Sequence, residues 1–268
     1  MDKRVTLRIA DIVKECSDVR TYIFQHPLAA LPGQFIMLTD FAGGEKPFSL
    51  AWCNDQEFAV TVKAVGPFTQ RLATKAAGDI VSIRGAFGSS FFISRHRALL
   101  VGGGYGTPPL YFLARRLLEA GAEVTVVNGA RRSDDLLFCD RFRRLGVEYH
   151  NITDTGGSGR EGTSVNLAGE LLKTSKFDYV YTAGPELMMK SLIALLQDQP
   201  CQFLMERYMK CAIGICGNCT VDPLGLRLCV EGPVLNREQV ERITEFGVYH
   251  RDAAGHRIKF TDRGEKIT

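Results

Sequence analysis

The chain has 268 residues, 45% hydrophobic and 24% charged, a mixture that buries a core and excludes a wholly disordered chain; at roughly 100–200 residues per domain, it implies two domains or two with a small appendage. A balance of 33 Lys and Arg against 30 Asp and Glu leaves a net charge of +3, too even for a nucleic-acid binder. No apolar run approaches the ~20 residues of a membrane span and MDKRVTLRIADIV lacks the marks of a signal peptide, so a cytoplasmic protein with neither a nucleic-acid nor a membrane partner is expected.

Taken in chain order, the first ~95 residues read as strands. VTLRIADIV, VRTYIFQH, GQFIMLT, EFAVTVKAV and DIVSIRG are rich in β-branched and aromatic residues, with Pro32-Gly33, Gly43-Gly44 and Gly78-Asp79 between them. They predict an antiparallel β-barrel or sandwich, with a short helix over Thr69–Ala76. Beyond Ser94–Arg97 the pattern changes. Strands are expected at Ala98–Val101, Glu123–Val127, Val147–His150 and Tyr179–Thr182, and helices at Pro109–Ala120, Asp134–Cys139, Val165–Leu172 and Glu186–Leu196. This alternation predicts a parallel sheet with helices on both faces. From Cys201 the chain is rich in Cys and Gly, then polar. Asn236–Thr268 has little apolar periodicity and reads as an extended arm or a surface-wrapping segment. The whole is an α+β multidomain chain: a β-barrel over 1–95, an α/β domain over 96–200, and a small cysteine-bearing domain with a tail over 201–268.

Eight cysteines are present. Cys16, Cys53, Cys139 and Cys201 are scattered and read as small packing residues. Cys211, Cys216, Cys219 and Cys229 fall together in MKCAIGICGNCTVDPLGLRLCVEGPV. Their Cys-x4-Cys-x2-Cys…Cys spacing is that of plant-type 2Fe-2S proteins. Soft, anionic thiolates suit iron and inorganic sulfide, and Gly214 and Gly217 let backbone wrap closely around such a core. A structural zinc site uses the same donors, though its usual units are paired Cys-x2-Cys. Reduced free thiols are the third reading.

The turn VGGGYGTPPL carries Gly102, Gly103, Gly104 and Gly106 between an apolar strand and a helix. Glycines there admit a pyrophosphate and the helix start favours its charge. The same residues also make a tight turn with Pro in the first helical turn. A second strand-to-helix junction, AGPELMMKSL, places Gly184, Pro185 and Met188; two such turns at the carboxyl ends of parallel strands converge on one ligand. Met188 alone reads equally as a core side chain. In the barrel, KPFSL offers Lys46, Pro47, Phe48 and Ser49: a phosphate partner, a ring surface and a hydroxyl, as a flavin needs. VKAVGPFT places Gly66 and Thr69 at a helix start. Taken singly, Lys46 is also a solvated lysine, Phe48 a core aromatic and Thr69 a helix cap.

In this order the motifs resemble the ferredoxin–NADP reductase superfamily and, within it, the electron-transfer subunit of NAD-dependent, two-subunit dihydroorotate dehydrogenases. The resemblance spans nearly the whole chain and is most specific in ERYMKCAIGICGNCTVDPLGLRLCVEGPV. FGVYHRDAAGHRI is similar to the tail of some members. It implies an FAD-binding barrel, an NAD(H)-binding α/β domain and a C-terminal 2Fe-2S domain. KPFS matches a flavin motif usually written R-x-x-S, which puts Ser49 near the flavin N5 and Phe48 beside the ring; Lys46 replaces the usual Arg and lacks its planar grip. Thr61, Val62, Lys63, Phe68 and Thr69 fall on further flavin contacts, Phe68 replacing a usual Gly. Gly102, Gly103, Gly104, Gly106, Gly184, Pro185 and Met188 match the nucleotide segments, and Ala212 replaces a common Gly after the first cluster ligand.

The implied activity is an oxidoreductase relay in pyrimidine biosynthesis. Electrons from dihydroorotate pass from the FMN of a catalytic partner subunit through the cluster and FAD to NAD, in a heterotetramer. No general acid, base or nucleophile is expected here, and none of the five histidines is assigned a catalytic role. A related reductase module serving a sulfite reductase, a hydrogenase or a ferredoxin-linked complex has the same motifs. A zinc-stabilised binding module is the alternative from another class. Arg131 and Arg132 follow the strand ending near Gly129, where a 2′-phosphate can sit; they read equally as a solvated pair, and the resemblance points to NADH.

Overall fold

The computed structural model describes residues 4–157 and 159–260. Its first unit is an antiparallel sheet of β1 (Val5–Arg8), β2 (Asp11–Lys14), β3 (Val19–Phe24), β4 (Phe35–Thr39), β5 (Lys46–Cys53), β6 (Phe58–Lys63) and β7 (Ile80–Phe87), ordered β1-β7-β4-β5-β6-β3-β2. The two ends of this order belong to one run of chain. At Ile9 the backbone N–H still bonds Asp79 beside β7, and at Ala10 it bonds Ile23 of β3. The segment 5–14 therefore closes the sheet on itself as a barrel. Alternating residues fill the interior; Phe24 and Phe58 stack at 5.0 Å between ring centroids, and the hydroxyl of Tyr22 donates to the carbonyl of Leu72.

Two barrel features differ from expectation. The helix α1 runs Pro67–Leu72 rather than 69–76, because the Thr69 hydroxyl accepts the N–H groups of Val65 and Gly66 and fixes the helix start upstream. The strand β5 was not foreseen, since Pro47 interrupts its pattern. It is accommodated by split pairing. Lys46–Ser49 pair with β4 and the pairing with β6 begins only at Leu50. Leu50 N donates to Gln34 O on the β4 side; by alternation Pro47 and Ser49 turn their backbone groups to the other, open edge, where a missing N–H costs nothing.

The second sheet contains β8 (Ala98–Gly103), β9 (Val124–Ala130), β10 (Glu148–Thr153), β11 (Arg160–Glu161), β12 (Tyr179–Ala183), β13 (Cys201–Leu204) and, later in the chain, β16 (Val234–Asn236). Their order is β11-β10-β9-β8-β12-β13-β16, parallel except for β16. Helices α2 (Thr107–Glu119), α3 (Cys139–Arg144), α4 (Ser164–Thr174) and α5 (Glu186–Ile193) connect the strands. The helix expected at 134–139 lies instead at 139–144. Phe138 takes a left-handed conformation, φ 61°, and packs its buried ring against Trp52 of the barrel and Tyr111 of α2. Tertiary packing at the domain junction thus overrides the local preference.

The sheet continues past residue 200, through β13 and back through β16. The cysteine segment is an excursion between these two strands, carrying the small hairpin β14 (Thr220–Val221) and β15 (Leu226–Arg227). Its buried Met209, Ala212, Cys219 and Leu228 join one apolar core with Phe35 and Phe87 of the barrel and Phe203 of β13. The segment after Asn236 is not simply an arm. Asn236 and Gln239 form a reciprocal cap on helix α6 (Arg237–Arg242), and Val240, Ile243 and Phe246 are buried in that core. Only then comes the peripheral hairpin β17 (Tyr249–Arg251) and β18 (Arg257–Lys259); residues 261–268 of the expected tail lie outside the described residues. No described helix is long and apolar enough to cross a membrane.

The ring of Phe246 meets Phe203 edge-on at 6.3 Å. Phe246→Ala is expected to lower the unfolding free energy by about 3–5 kcal/mol, read as a shifted urea midpoint; an unchanged midpoint would remove the tail from the core.

Candidate cofactor-binding sites and cluster loop

The second sheet reverses its winding between β8 and β12: from β8 the chain proceeds outward through β9 and β10, then returns to β12 on the other side. Ligands of open parallel sheets sit at such a switch point, outside the carboxyl ends of the strands. Those ends are Gly102–Gly104 and Gly184-Pro185, so the two predicted nucleotide segments do come together. Their approach leaves no room for side chains. A Cβ on Gly106 would lie 2.5 Å from Gly184 N and 2.6 Å from the Ala183 carbonyl carbon, and one on Gly103 would meet Met188 Sδ at 2.6 Å. Met188 therefore covers the Gly103 turn while also packing on the core. The crevice floor is held by Asn128 of β9, which accepts from the Thr107 hydroxyl at 3.0 Å and donates to the Leu137 carbonyl at 2.8 Å.

A narrow cleft beside this turn is lined by Gly104 and Tyr105 from the glycine turn, Lys63 and Asp18 from the barrel, and Asp135 and Leu137 from the loop after β9. One of the predicted flavin residues and one of the predicted nucleotide residues thus share a single cleft. Lys63 lies 3.5 Å from Asp18. The other flavin candidates divide into two kinds. Val62 and Phe68 are buried in the barrel, Phe68 stacking on the half-buried Phe48 at 6.1 Å. Thr61 shares a hydrogen bond with Thr21 at 2.8 Å, and the Thr69 hydroxyl is engaged by the turn at Gly66, whose own Cβ position faces open space. Lys46, Pro47, Phe48 and Ser49 are all partly accessible and lie on the open edge of β5. That edge, with Phe48 beside it, fits an aromatic ring system carrying hydrogen-bonding groups.

The four clustered cysteines fall into two neighbouring pairs. Cys216 N–H points at Cys211 Sγ, 3.5 Å away, and Cys219 lies beside Cys229, the latter two buried and Cys216 exposed. Burial pushes the Cys211 thiol up, but the N–H groups of Cys216, Ile213 and Ile215 outweigh it and hold its pKa down to about 6. Burial first, then the neighbouring Cys219, drives Cys229 up to about 12. Ala212, Gly214 and Gly217 are all left-handed, φ 62°, 78° and 72°. That curls the loop so that its N–H groups face the sulfur. At Gly214 a Cβ would lie 2.9 Å from Val230. Among the described residues no three Cys, His, Asp or Glu side chains close to the spacing of one ion; the thiols form two adjacent pairs. Four soft donors, N–H groups aimed at sulfur and a small-residue loop fit an iron–sulfur cluster. Of the scattered cysteines, Cys201 is buried, and Cys16, Cys53 and Cys139 are partly so.

Three residues near these sites were not anticipated. Tyr208 receives the Lys46 ammonium, at 3.0 Å to its hydroxyl and 4.5 Å over its ring, linking the start of β5 to the segment entering Cys211. Glu186, the first residue of α5, forms a buried ion pair with Arg207. The flanking GP and ERYMKC motifs were visible in the sequence, but nothing there signals a pairing across that separation.

Gly106→Ala must push the two nucleotide turns apart. It is expected to weaken binding of a nicotinamide dinucleotide at least tenfold, about 1.4 kcal/mol, with flavin content unchanged; equal affinity by calorimetry would remove this crevice as the binding site.

Comparison with known proteins agrees with this geometry. The model of the iron-sulfur cluster binding domain of dihydroorotate dehydrogenase B matches residues 206–241. A protein of Methanocaldococcus jannaschii described as "probable dihydroorotate dehydrogenase B (NAD(+)), electron transfer subunit" is 38% identical, over 97% of this chain and 100% of its own. Its counterpart in Methanothermobacter thermautotrophicus is 40% identical, over 94% and 96%. Among solved structures, that of an NADH-dependent reduced ferredoxin–NADP oxidoreductase superposes with a TM-score of 0.80 at 30% identity, covering 92% of this chain and 95% of that one. A ferredoxin reductase of carbazole 1,9a-dioxygenase shares the fold, with a TM-score of 0.65 at 22% identity over 75% and 68%. A barrel, a switch-point crevice and a four-cysteine loop in this order, with such identity over nearly the full length, place the chain in the family of dihydroorotate dehydrogenase B electron transfer subunits.

Proposed function

We propose that this chain carries electrons between a nicotinamide nucleotide and a catalytic partner subunit that oxidises dihydroorotate, using bound FAD and a 2Fe-2S cluster. The observation that carries the reading is the placement of three sites at one junction. The open edge of β5, the crevice between β8 and β12 and the Cys211–Cys229 loop all border the same contact of barrel, sheet and excursion. When bound, FAD exchanges a hydride's two electrons with the nicotinamide and single electrons with the cluster. The chain's own residues supply position. Gly103, Gly106, Gly184, Pro185 and Met188 shape the dinucleotide crevice. Lys46, Phe48 and Ser49 would hold the flavin, with Thr61, Val62, Lys63, Gly66, Phe68 and Thr69 as its further candidate contacts, Val62 and Phe68 from within the barrel. Cys211, Cys216, Cys219 and Cys229 hold the cluster.

The rim of the cluster loop has the character of a docking surface. Ile215 is 79% exposed, Ile213 47% and Val230 44%, on the side where Cys216 is also exposed. An apolar collar around the accessible ligand suits a partner that brings its own cofactor close. A second reading is favoured by one observation, the match over nearly the whole chain to an NADH-dependent reduced ferredoxin–NADP oxidoreductase. In that case the partner is ferredoxin-linked and the same residues keep their roles. Reduction of NAD by dihydroorotate in the copurified complex supports the first reading; reduction only with ferredoxin supports the second.

Aerobically purified protein is expected to show flavin and iron–sulfur absorption together, and Cys219→Ala to lose the iron–sulfur bands while keeping the flavin ones. A colourless, zinc-loaded protein would overturn the reading. Ile215→Asp, with its cluster intact, is expected to weaken association with the partner subunit at least tenfold in sedimentation or calorimetry; unchanged association would move the interface elsewhere.

A further inference from the structure

The strands β5 and β6 pair only as far as Leu50 opposite Val60, and a continued ladder would set Ser49 opposite Thr61. Thr61 therefore stands at the opening beside β5. It is half-buried and shares a face of β6 with Lys63, two residues on, which lines the cleft with Gly104 and Tyr105. Behind Thr61 runs a line of hydrogen bonds that crosses from the barrel to the second sheet's unit. Thr21 of β3, fully buried, lies opposite Thr61 in register, and their hydroxyl oxygens are 2.8 Å apart. The Thr21 hydroxyl donates to Glu15 Oε1 at 2.7 Å, and the same oxygen accepts from Arg141 Nη2 at 2.9 Å. The Glu15 side chain is only 10% exposed. Arg141 belongs to α3, and its guanidinium is fixed over the rings of Trp52 and Phe138, 4.9 and 4.5 Å from their centroids.

We propose that this line sets the polarity of Thr61, so that its hydroxyl meets the flavin as an acceptor and selects an N–H or O–H group on it. The proposal rests on the functional reading above and deepens it, by naming the ligand chemistry at one position of the opening. The distance between the two threonines leaves open which of them donates; the proton supply decides it. A threonine hydroxyl has one proton to give and two lone pairs. A carboxylate paired with a guanidinium has none to give, so the Thr21 proton is committed to Glu15. The bond between the threonines must then use the Thr61 proton, with Thr21 accepting. Thr61 has nothing left to donate, and only lone pairs remain for a ligand. On an oxidised flavin and its side chain, the donors are the ring imide N3–H and the ribityl hydroxyls; the ring carbonyls and N5 only accept. Thr21, Glu15 and Arg141 are positioning residues in this scheme. Because Arg141 lies outside the barrel, the polarity of a barrel hydroxyl is set from the other domain.

The test uses the full-length holoprotein. It reads the equilibrium exchange of bound FAD for an analogue methylated at N3 and for analogues each lacking one ribityl hydroxyl. The handicap of each analogue against FAD is a ratio within one variant, so a general loss of stability cancels. Thr61→Val keeps the shape and removes only the hydroxyl. It is expected to shrink the handicap of one analogue by about three- to tenfold, the worth of one hydrogen bond; which analogue responds separates ring from chain. Thr21→Val leaves Thr61 in place but frees its proton, and is expected to shrink the same handicap. Thr21→Ser, which keeps the relay, is expected to leave it at the wild-type value. No response to Thr61→Val, or a full handicap in Thr21→Val, would overturn the proposal while leaving the functional reading intact. A wild-type protein that holds no FAD would overturn that reading itself.

Discussion

The geometry of the molecule hangs on a buried ion pair. Glu186 opens α5 immediately after Gly184-Pro185, and Arg207 lies four residues before Cys211; their side chains are 6% and 3% exposed. Glu186 also accepts the Gly247 N–H at 3.0 Å, so a single carboxylate joins the nucleotide crevice, the approach to the cluster and the turn after α6. Fully buried Glu245 stands beside Arg251 at 3.6 Å, and Arg251 in turn pairs with Asp222 at the end of β14. Burial pulls Arg207 down to about 10, against the opposing pull of Glu245. Such a pair adds little net stability relative to apolar residues, but losing one partner strands the other charge and costs about 3–5 kcal/mol. Its value is registry: the excursion carrying the cysteines docks on the sheet in one position.

That registry matters because each site is incomplete on its own element. The dinucleotide crevice needs two loops from strands on opposite sides of the switch point. The open edge proposed for the flavin exists because β5 is paired differently along its length. The cysteine loop is closed beneath by barrel residues Phe35 and Phe87 as well as by its own hairpin. A chain of side-chain contacts, from Lys46 to Tyr208 on one side and from Glu186 to Arg207 on the other, brings the three together at the segment entering Cys211.

The sequence made the chemistry more legible than the boundaries. The cysteine spacing, the VGGGYG turn and the AGP junction were readable because each demands particular residue types at fixed local offsets. The split strand β5 was not, because Pro47 is disfavoured in a strand unless its missing N–H faces an unpaired edge, and that edge exists only in the assembled barrel. The displacement of α3 follows from Phe138 being drawn into the contact with Trp52 and Tyr111, a long-range effect. The helix after residue 236 did have a local signal. Asn236 and Gln239 stand at capping-box spacing, with Val240 and Ile243 three apart behind them, but the surrounding charges concealed so short a pattern. Pairings such as Glu186 with Arg207 leave no periodic trace at all.

The barrel's closure has a consequence for how the molecule behaves toward its own kind. Residues 5–14 serve both ends of the first sheet, Val5–Arg8 pairing with β7 and Asp11–Lys14 with β3, and a further break in pairing lies beside Lys46–Ser49. Free strand edges recruit other strands and seed aggregation. Here the break is short, begins with a charged lysine, and turns toward solvent a proline that has no N–H to offer. The opening proposed above for a planar ring is thereby poorly suited to an incoming strand: the same four residues that would face a small ligand also discourage β-sheet self-association.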